Sequence, residues 1–414
     1  MNLYFTLAWR NIFRNRRRTF LTGLIIGIGL ASMMFTDAIV VGMKENMISS
    51  VTSSFLGEGQ IHLEGFEEDM DGEKTIAKRR EIIDRLSSDP RIARFSERTA
   101  SFGTISSPSD IQSIVLYGID PQTEADISKV DEAIVEGSYF FEKGAEDDGT
   151  KRGGVLIGSR LADRLEVGVG DRIVLSVTEA KTGELAQDMF RVAGIYTMDI
   201  GEMDTSMAFI RLDQSRRLLA IGGESHEIAV DFADRRGAAP GEAFPEDYSL
   251  YGNKAESWQQ IVPQMKKMLD MTDFSVGIVM LIVFAVIIFG IINTLFMSLY
   301  ERIFEFGVLR AVGTRASRLR KLIVLEAGSL ALYSVIIGML LGAIIIYIGS
   351  IHGMNLSGVE FAGATFTEEI KSVFRLRQFT LHPLLIFIFT VLVSLYPARY
   401  AGRMSITHAL RKTL

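Results

Sequence analysis

Apolar residues in this chain gather into four runs, at 20–41, 274–300, 322–348 and 381–396, while elsewhere they are interleaved with polar residues as in water-soluble proteins. A helix crosses a bilayer with about 20 apolar residues. The runs therefore predict four spans, over 20–42, 274–300, 322–348 and 381–397, the last of them closed by Pro397 and able to borrow Phe379 and Thr380. Gly23, Gly27, Gly29, Ala31 and Ser32 give the first run the small residues that let helices approach closely in lipid. Asp37 and Glu326 lie near the ends of their spans, and both read as interfacial charges.

Residues 43–273, between the first two runs, predict a large α/β domain. The segment 111–120, IQSIVLYGID, alternates as a strand does. GGVLIGSRLADRLEV reads as strand then helix, GVGDRIVLSV as turn then strand, MFRVAGIY and SMAFIRL as further strands, and DQSRRLLA as a short helix. The polar stretches 142–154 and 222–227 read as loops and 235–249 as a linker. This pattern predicts two subdomains, a β-rich lobe from about 136 to 235 inserted in an α/β lobe made of the flanking pieces. In the second extramembrane stretch, 349–380, Phe361, Phe366 and Phe374 suit either the outer interface or core packing.

Charge orients these elements. Residues 1–19 carry Arg10, Arg14, Arg16, Arg17 and Arg18 with no acid. The connector 301–321 carries Arg302, Arg310, Arg315, Arg318, Arg320 and Lys321 against Glu301 and Glu305. The segment 398–414 adds Arg399, Arg403, Arg411 and Lys412, yet the whole chain has a net charge of −6. Short basic flanks mark the cytoplasmic side, so both ends and the connector are expected in the cytoplasm and 43–273 outside. Phe5, Trp9, Ile12 and Phe13 read as one side of an amphipathic helix on the inner leaflet, the alternative being a plain basic flank. The first run exceeds the apolar core of a signal peptide and lacks a convincing small-x-small cleavage site, so it reads as an anchor. The chain has no cysteine, which is compatible with a bacterial periplasm without demonstrating it.

The chemistry of an enzyme is missing from the sequence. There is no phosphate-binding G-x-x-x-x-G-K-[ST] loop, no H-E-x-x-H, no nucleophile elbow and no cysteine-based metal site. His62, His226, His352, His382 and His408 are scattered and read as structural, and the many acids of 43–273 as a solvated face. No catalytic residue, metal site, cofactor or nucleic-acid partner is expected of this chain. The connector has helical spacing, with Ile303, Phe306 and Arg310 at three- and four-residue intervals. A short amphipathic helix tied directly to two spans is where a cytosolic motor could push on a membrane protein.

With its flanks, the connector NTLFMSLYERIFEFGVLRAVGTRASRLRKLIVLEAG resembles the signature of the FtsX-like permease family, the four-span subunits of MacB-type ABC transporters. The opening LAWRNIFRNRRRTFLTGL fits that family. The stretch YPARYAGRMSITHALR resembles its closing motif, with Ile406 where a proline is usual. Within the family, GGVLIGSRLADRLEVGVGDRIVLS, FRVAGIY and MDTSMAFIRLDQSRRLL look most like the permeases of the lipoprotein-releasing (Lol) system. The resemblance implies an α-helical membrane protein of the bacterial inner membrane, with four transmembrane helices and a large α/β extracytoplasmic domain of two subdomains, the MacB-like periplasmic core domain.

It further implies a coupling helix at 301–321 that docks on a separate cytosolic ATPase dimer, which itself binds ATP and Mg. Glu301, Arg302, Glu305, Phe306, Gly307, Leu309, Arg310 and Gly313 would form the contact, with Arg302 and Arg310 pairing with acids of the partner. Charge at Phe306 and Leu309 is expected to uncouple the ATPase. A second permease copy or paralogue would enclose a cavity open to membrane lipid, for which Phe35, Ile39, Met43, Phe274, Ile278 and Ile282 are the candidates. The function implied is extraction of lipoproteins from the outer leaflet towards a periplasmic carrier. The alternative is MacB-like efflux through a periplasmic adaptor and outer-membrane channel. A third reading is a scaffold that switches a cell-wall hydrolase, a role whose family members usually have outer domains much smaller than 43–273. In the lipoprotein permeases a hairpin of the outer domain recruits the carrier. The corresponding stretch here, TEAKTGELAQDM at 178–189, departs from that pattern, being polar and free of proline and aromatics.

Overall fold

The structure, a computed structural model, describes residues 16–140, 153–198, 201, 203–233, 244–354, 360–361, 364–365 and 369–403. The amphipathic helix expected over the first residues, most of the loop at 142–154, the linker at 235–243, Phe366 and the tail beyond Arg403 lie outside the described residues.

Four long helices carry the four apolar runs: α1 (Arg16–Val51), α2 (Pro263–Glu301), α4 (Ala316–His352) and α5 (Leu376–Arg403). The short helix α3 (Ile303–Ala311) lies between α2 and α4. Each long helix overruns its apolar run. The 39 residues of α2 rise roughly 58 Å at about 1.5 Å each, against a hydrocarbon core of about 30 Å. Pro397 does not end the last helix, because α5 passes through both Pro383 and Pro397 to reach Arg403. A proline removes one backbone donor. In a membrane helix that loss is tolerated where neighbouring helices and hydroxyl side chains satisfy the carbonyls set free. Both prolines are buried.

The helices meet through small residues and methionine. A Cβ on Gly27 would lie 2.9 Å from the Ile337 side chain and 3.2 Å from the backbone of Gly338, so α1 and α4 touch main chain to main chain there. Gly23 lies under Tyr333 in the same seam, and Gly29 accommodates Ile287 of α2. Leu30, Met34, Ile291, Ala327 and Ile386 fill the interior between the four helices. At one end, Lys44 of α1 forms an ion pair with Asp273 of α2, and Asp37 lies 3.8 Å from His382 of α5.

The sheet domain is described by itself. Its strands are β1 (Gly59–Leu63), β2 (Ile92–Ser106), β3 (Ile111–Ile119), β4 (Ile134–Gly137), β5 (Gly154–Gly158), β6 (Arg172–Thr178), β7 (Leu185–Tyr196), β8 (Met207–Arg211), β9 (Glu227–Phe232) and β10 (Asn253–Ser257). They form one sheet in the order β10-β1-β9-β2-β3-β8-β5-β7-β4, and β6 joins β2 to β7. Those pairings close a ring of six strands, β2-β3-β8-β5-β7-β6, around Ile105, Ile114, Val155, Ile173, Phe190 and Ile210. Closure removes the free strand edges that an open sheet exposes.

The ring draws β2 and β3 from outside the range 136–235, while β9, inside that range, pairs with β1 and β2 instead. The lobes therefore share strands, because the 15 residues of β2 pair with β9 along the first part and with β6 along the last.

Candidate coupling site

Local chain geometry divides 301–321 into three parts. Helix α2 ends at Glu301, and Arg302 leaves helical geometry at φ −108° and ψ 13°. Helix α3 then runs for nine residues. Its end is a Schellman motif: the amide of Thr314 donates to Leu309 O and that of Gly313 to Arg310 O, both at 3.0 Å, with Gly313 at φ +98°. Arg315 is extended and α4 begins at Ala316. Arg318, Arg320 and Lys321 thus belong to the first turns of α4, and the helix expected over the whole connector is confined to Ile303–Ala311. Glycine at the αL position is the physical reason, since the chain reverses there at no steric cost.

The inner face of α3 is fixed to its own chain. Phe306 is buried with Leu299, Leu319, Ile323, Ala398 and Ala401, and Gly307 is buried beside it. Arg302 bridges Glu305, at 3.0 Å, and Glu326 of α4, with its guanidinium 5.0 Å from the centre of the Phe306 ring. Arg310 donates to Gly402 O at 2.9 Å. Both arginines named for pairing with a partner's acids thus have partners within the chain. Glu326, read as an interfacial charge, is one of them.

Glu301, Leu309 and Gly313 are exposed, as are Phe304, Val308 and Val312, the last with 83% of its surface free. Phe304, Val308 and Val312 were not among the coupling candidates. Their i, i+4, i+8 spacing was visible, but the apolar residues of both faces are mixed in IFEFGVLRAV, so periodicity alone does not say which face is inside.

The cavity candidates separate into two groups. Phe35 packs against the backbone of Gly349 of α4, and Ile39 and Met43 are half-buried along α1. Phe274, Ile278 and Ile282 form an exposed stripe on α2, Phe274 being 73% exposed.

Inside the sheet domain two polar clusters stand out. Arg98 is fully buried and bonds Glu124 at 2.9 and 2.6 Å and Glu227 at 2.8 Å, with the ring of Phe55 3.9 Å from its guanidinium carbon. Burial pushes the Glu227 carboxyl above its ordinary range against the opposing pull of Arg98. His226 accepts from Ala100 N at 3.1 Å through Nδ1 and donates to Gly72 O through Nε2. Burial lowers its pKa, in keeping with a neutral structural histidine. In the second cluster, His62 Nε2 lies 3.0 Å from Glu256 and 3.4 Å from Glu67. Scattered histidines gave no hint of this grouping, because Glu256 is 194 residues from His62 along the chain.

Residues 19–242 match the MacB-like periplasmic core domain, and residues 277–406 match the C-terminal domain of FtsX-like permeases. The first match alone spans more than half of the chain, which therefore belongs to the FtsX-like, MacB-type family of ABC transporter permeases. It is similar to the lipoprotein-releasing system transmembrane protein LolE of Haemophilus influenzae, with 22% identity over 83% of this chain and 82% of that protein. The lipoprotein-releasing system transmembrane protein LolC of Neisseria meningitidis is 21% identical over 84% of this chain and 88% of its own length. The macrolide export ATP-binding/permease protein MacB of Neisseria gonorrhoeae is 23% identical over 82% of this chain, which spans only 52% of that relative. The chain is thus a multi-pass inner-membrane ABC transporter permease with a MacB-like domain between its first two spans.

Proposed function

We propose that this permease extracts lipoproteins from the outer leaflet of the inner membrane, paired with a second permease copy or paralogue and driven by a separate cytosolic ATPase. In this reading both ends and α3 are cytoplasmic, and the sheet domain is periplasmic. The observation that carries it is length-matched similarity: the two lipoprotein-releasing relatives align over more than four-fifths of both partners. The MacB relative is about twice as long as the part this chain spans.

The exposed apolar residues Phe304, Val308, Leu309 and Val312 suit a docking surface for the ATPase, since apolar side chains grouped in water favour a partner. Mechanical transmission then runs through α2 and α4, which flank α3 directly in the chain. Each acyl CH₂ exposed to water costs about 0.8 kcal/mol, so two or three chains cost on the order of tens of kcal/mol. The cargo must pass from one apolar surface to another, and the stripe Phe274, Ile278 and Ile282 offers such a surface on α2. The alternative, efflux with a periplasmic adaptor and outer-membrane channel, draws its support from the MacB relative.

Mass spectrometry of proteins that copurify with the chain from native membranes in mild detergent tests this reading. Triacylated lipoproteins together with an ATPase and a second permease are expected. An adaptor and outer-membrane channel with the ATPase, and no lipoproteins, would overturn extraction in favour of efflux.

A further inference from the structure

We propose that His62, Glu67 and Glu256 form a binding site for a divalent first-row transition ion of the zinc type, built across strands β1 and β10. Among the described residues they are the set of histidine and carboxylate ligands whose donor atoms converge, all lying within 4.8 Å of one another. The strand register brings them together. β1 and β10 are antiparallel, with Gln60 opposite Glu256 and His62 opposite Lys254, so His62 and Glu256 share one face of the pair. The other face carries Ile61 and Ala255 into the core. Glu67 comes from the turn of helix Phe66–Asp69, which follows Gly65 in the left-handed region at φ +81° and returns the chain over β1.

The distances suit an ion. Four-coordinate zinc with bonds of about 2.0–2.1 Å holds its ligand atoms about 3.3 Å apart. His62 Nε2 is 3.0 Å from Glu256 Oε2 and 3.4 Å from Glu67 Oε1, so two edges of that tetrahedron are nearly in place. His62 Nδ1 donates to Leu63 O at 3.2 Å, which fixes the ring with Nε2 towards the carboxylates. Lys254 holds the other oxygen of Glu256 at 2.7 Å, orienting that carboxylate from behind. His62 and Glu256 are only 2% and 5% exposed, whereas the Glu67 side chain is 41% exposed. The fourth position therefore opens towards solvent, where water completes the coordination. With the imidazole neutral the two carboxylates carry a charge of −2, of which Lys254 offsets one, and the remainder attracts a cation.

The position in the chain gives such an ion a consequence. β1 is the first strand after α1, and β10 runs through the helix Trp258–Ile261 into α2. An ion shared by His62 and Glu256 cross-links the strand that leaves the first span to the strand that enters the second.

The same contacts could serve a purely ionic cluster, and direct titration separates the two. Full-length protein in detergent is stripped with a chelator and titrated with zinc chloride by calorimetry, with zinc-edge X-ray absorption on the loaded sample. One equivalent per chain is expected, with nitrogen and oxygen neighbours at about 2.0–2.1 Å. Loss of a ligand exceeds the 10–100-fold loss typical of a supporting residue, so His62→Gln should weaken binding by at least about 100-fold. Glu67→Gln, at the exposed rim where folding is not at stake, should weaken it by at least about 10-fold. Circular dichroism melts confirm that each variant is folded. Absence of saturable zinc binding by the parent chain overturns the site, and so does parent-like binding in Glu67→Gln. Neither result bears on lipoprotein extraction, which is read from copurification.

Discussion

At Arg98 the cost of burying a charge is offset inside the domain by two carboxylates and an aromatic face. A buried ion pair is worth little against an apolar replacement, but removal of one member strands the other. Arg98→Ala leaves Glu124 and Glu227 facing each other without a cation, and should cost about 3–5 kcal/mol in denaturant unfolding. The deficit should depend on pH. Glu227 already has a raised pKa through burial, and it rises further without Arg98. A carboxyl raised in the folded state penalises folding at neutral pH, and the penalty fades as pH falls towards the unfolded value of about 4.3. The gap between parent and variant should therefore be widest near pH 7 and narrow towards pH 5. A deficit under about 1 kcal/mol, or one that widens on acidification, would refute the buried triad. The sequence SERTASFG gave no sign of it, since a polar run reads as a surface strand and the partners lie 26 and 129 residues away.

Helix α3 shows how far periodicity reaches at the scale of an element. Its existence was legible from Ile303, Phe306 and Arg310, but not its end before Gly313, and which apolar side chains face outward depends on packing with Leu319, Ile323 and Ala398. The four spans were legible from the length of their apolar runs, and the glycine seam at Gly23 and Gly27 from small residues four apart. The overrun of α1 past its apolar run was not, because MKENMISS lies beyond that run and its polar residues carry no apolar periodicity, although the helix continues to Val51. This division changes how coupling is tested. Phe306→Asp buries a charge among Leu299, Leu319 and Ala398 and should destabilise the helical unit by several kcal/mol, so its loss of activity says nothing about docking. Val308→Asp with Leu309→Asp alters only exposed positions. That pair should melt like the parent in detergent yet fail to couple an associated ATPase to transport. Transport at the parental rate in the folded double variant would remove α3 from the coupling surface.

At the scale of the whole molecule, lipoprotein extraction requires that some subunit hand the cargo to a carrier. The α/β domain and four spans were readable because bilayer thickness and strand alternation act locally. The shared sheet was not, since a strand that changes partners along its length, as β2 does, leaves no local mark. The turn between β6 and β7 folds back on its own domain: Ala180 N donates to Leu219 O at 3.0 Å, and Ala180 packs against the ring interior. Gly183, at φ +68°, tightens the turn, with Gly183 N donating to Glu179 O at 3.1 Å. Its remaining side chains are Glu179, Lys181, Thr182 and Glu184, and Thr182 bonds Glu179 at 2.8 Å. Such a turn offers a partner no aromatic or proline anchor, and anchors of that kind carry most of the energy of an interface. If the chain works beside a paralogue, recruitment falls to the paralogue. Replacing Lys181 and Thr182 by serine keeps Gly183 and the Ala180 bond, and should leave handover of lipoprotein from reconstituted vesicles to a soluble carrier unchanged. Handover reduced to background by that exchange, with the melt unaltered, would make this turn the recruiting element and the chain the carrier-binding subunit.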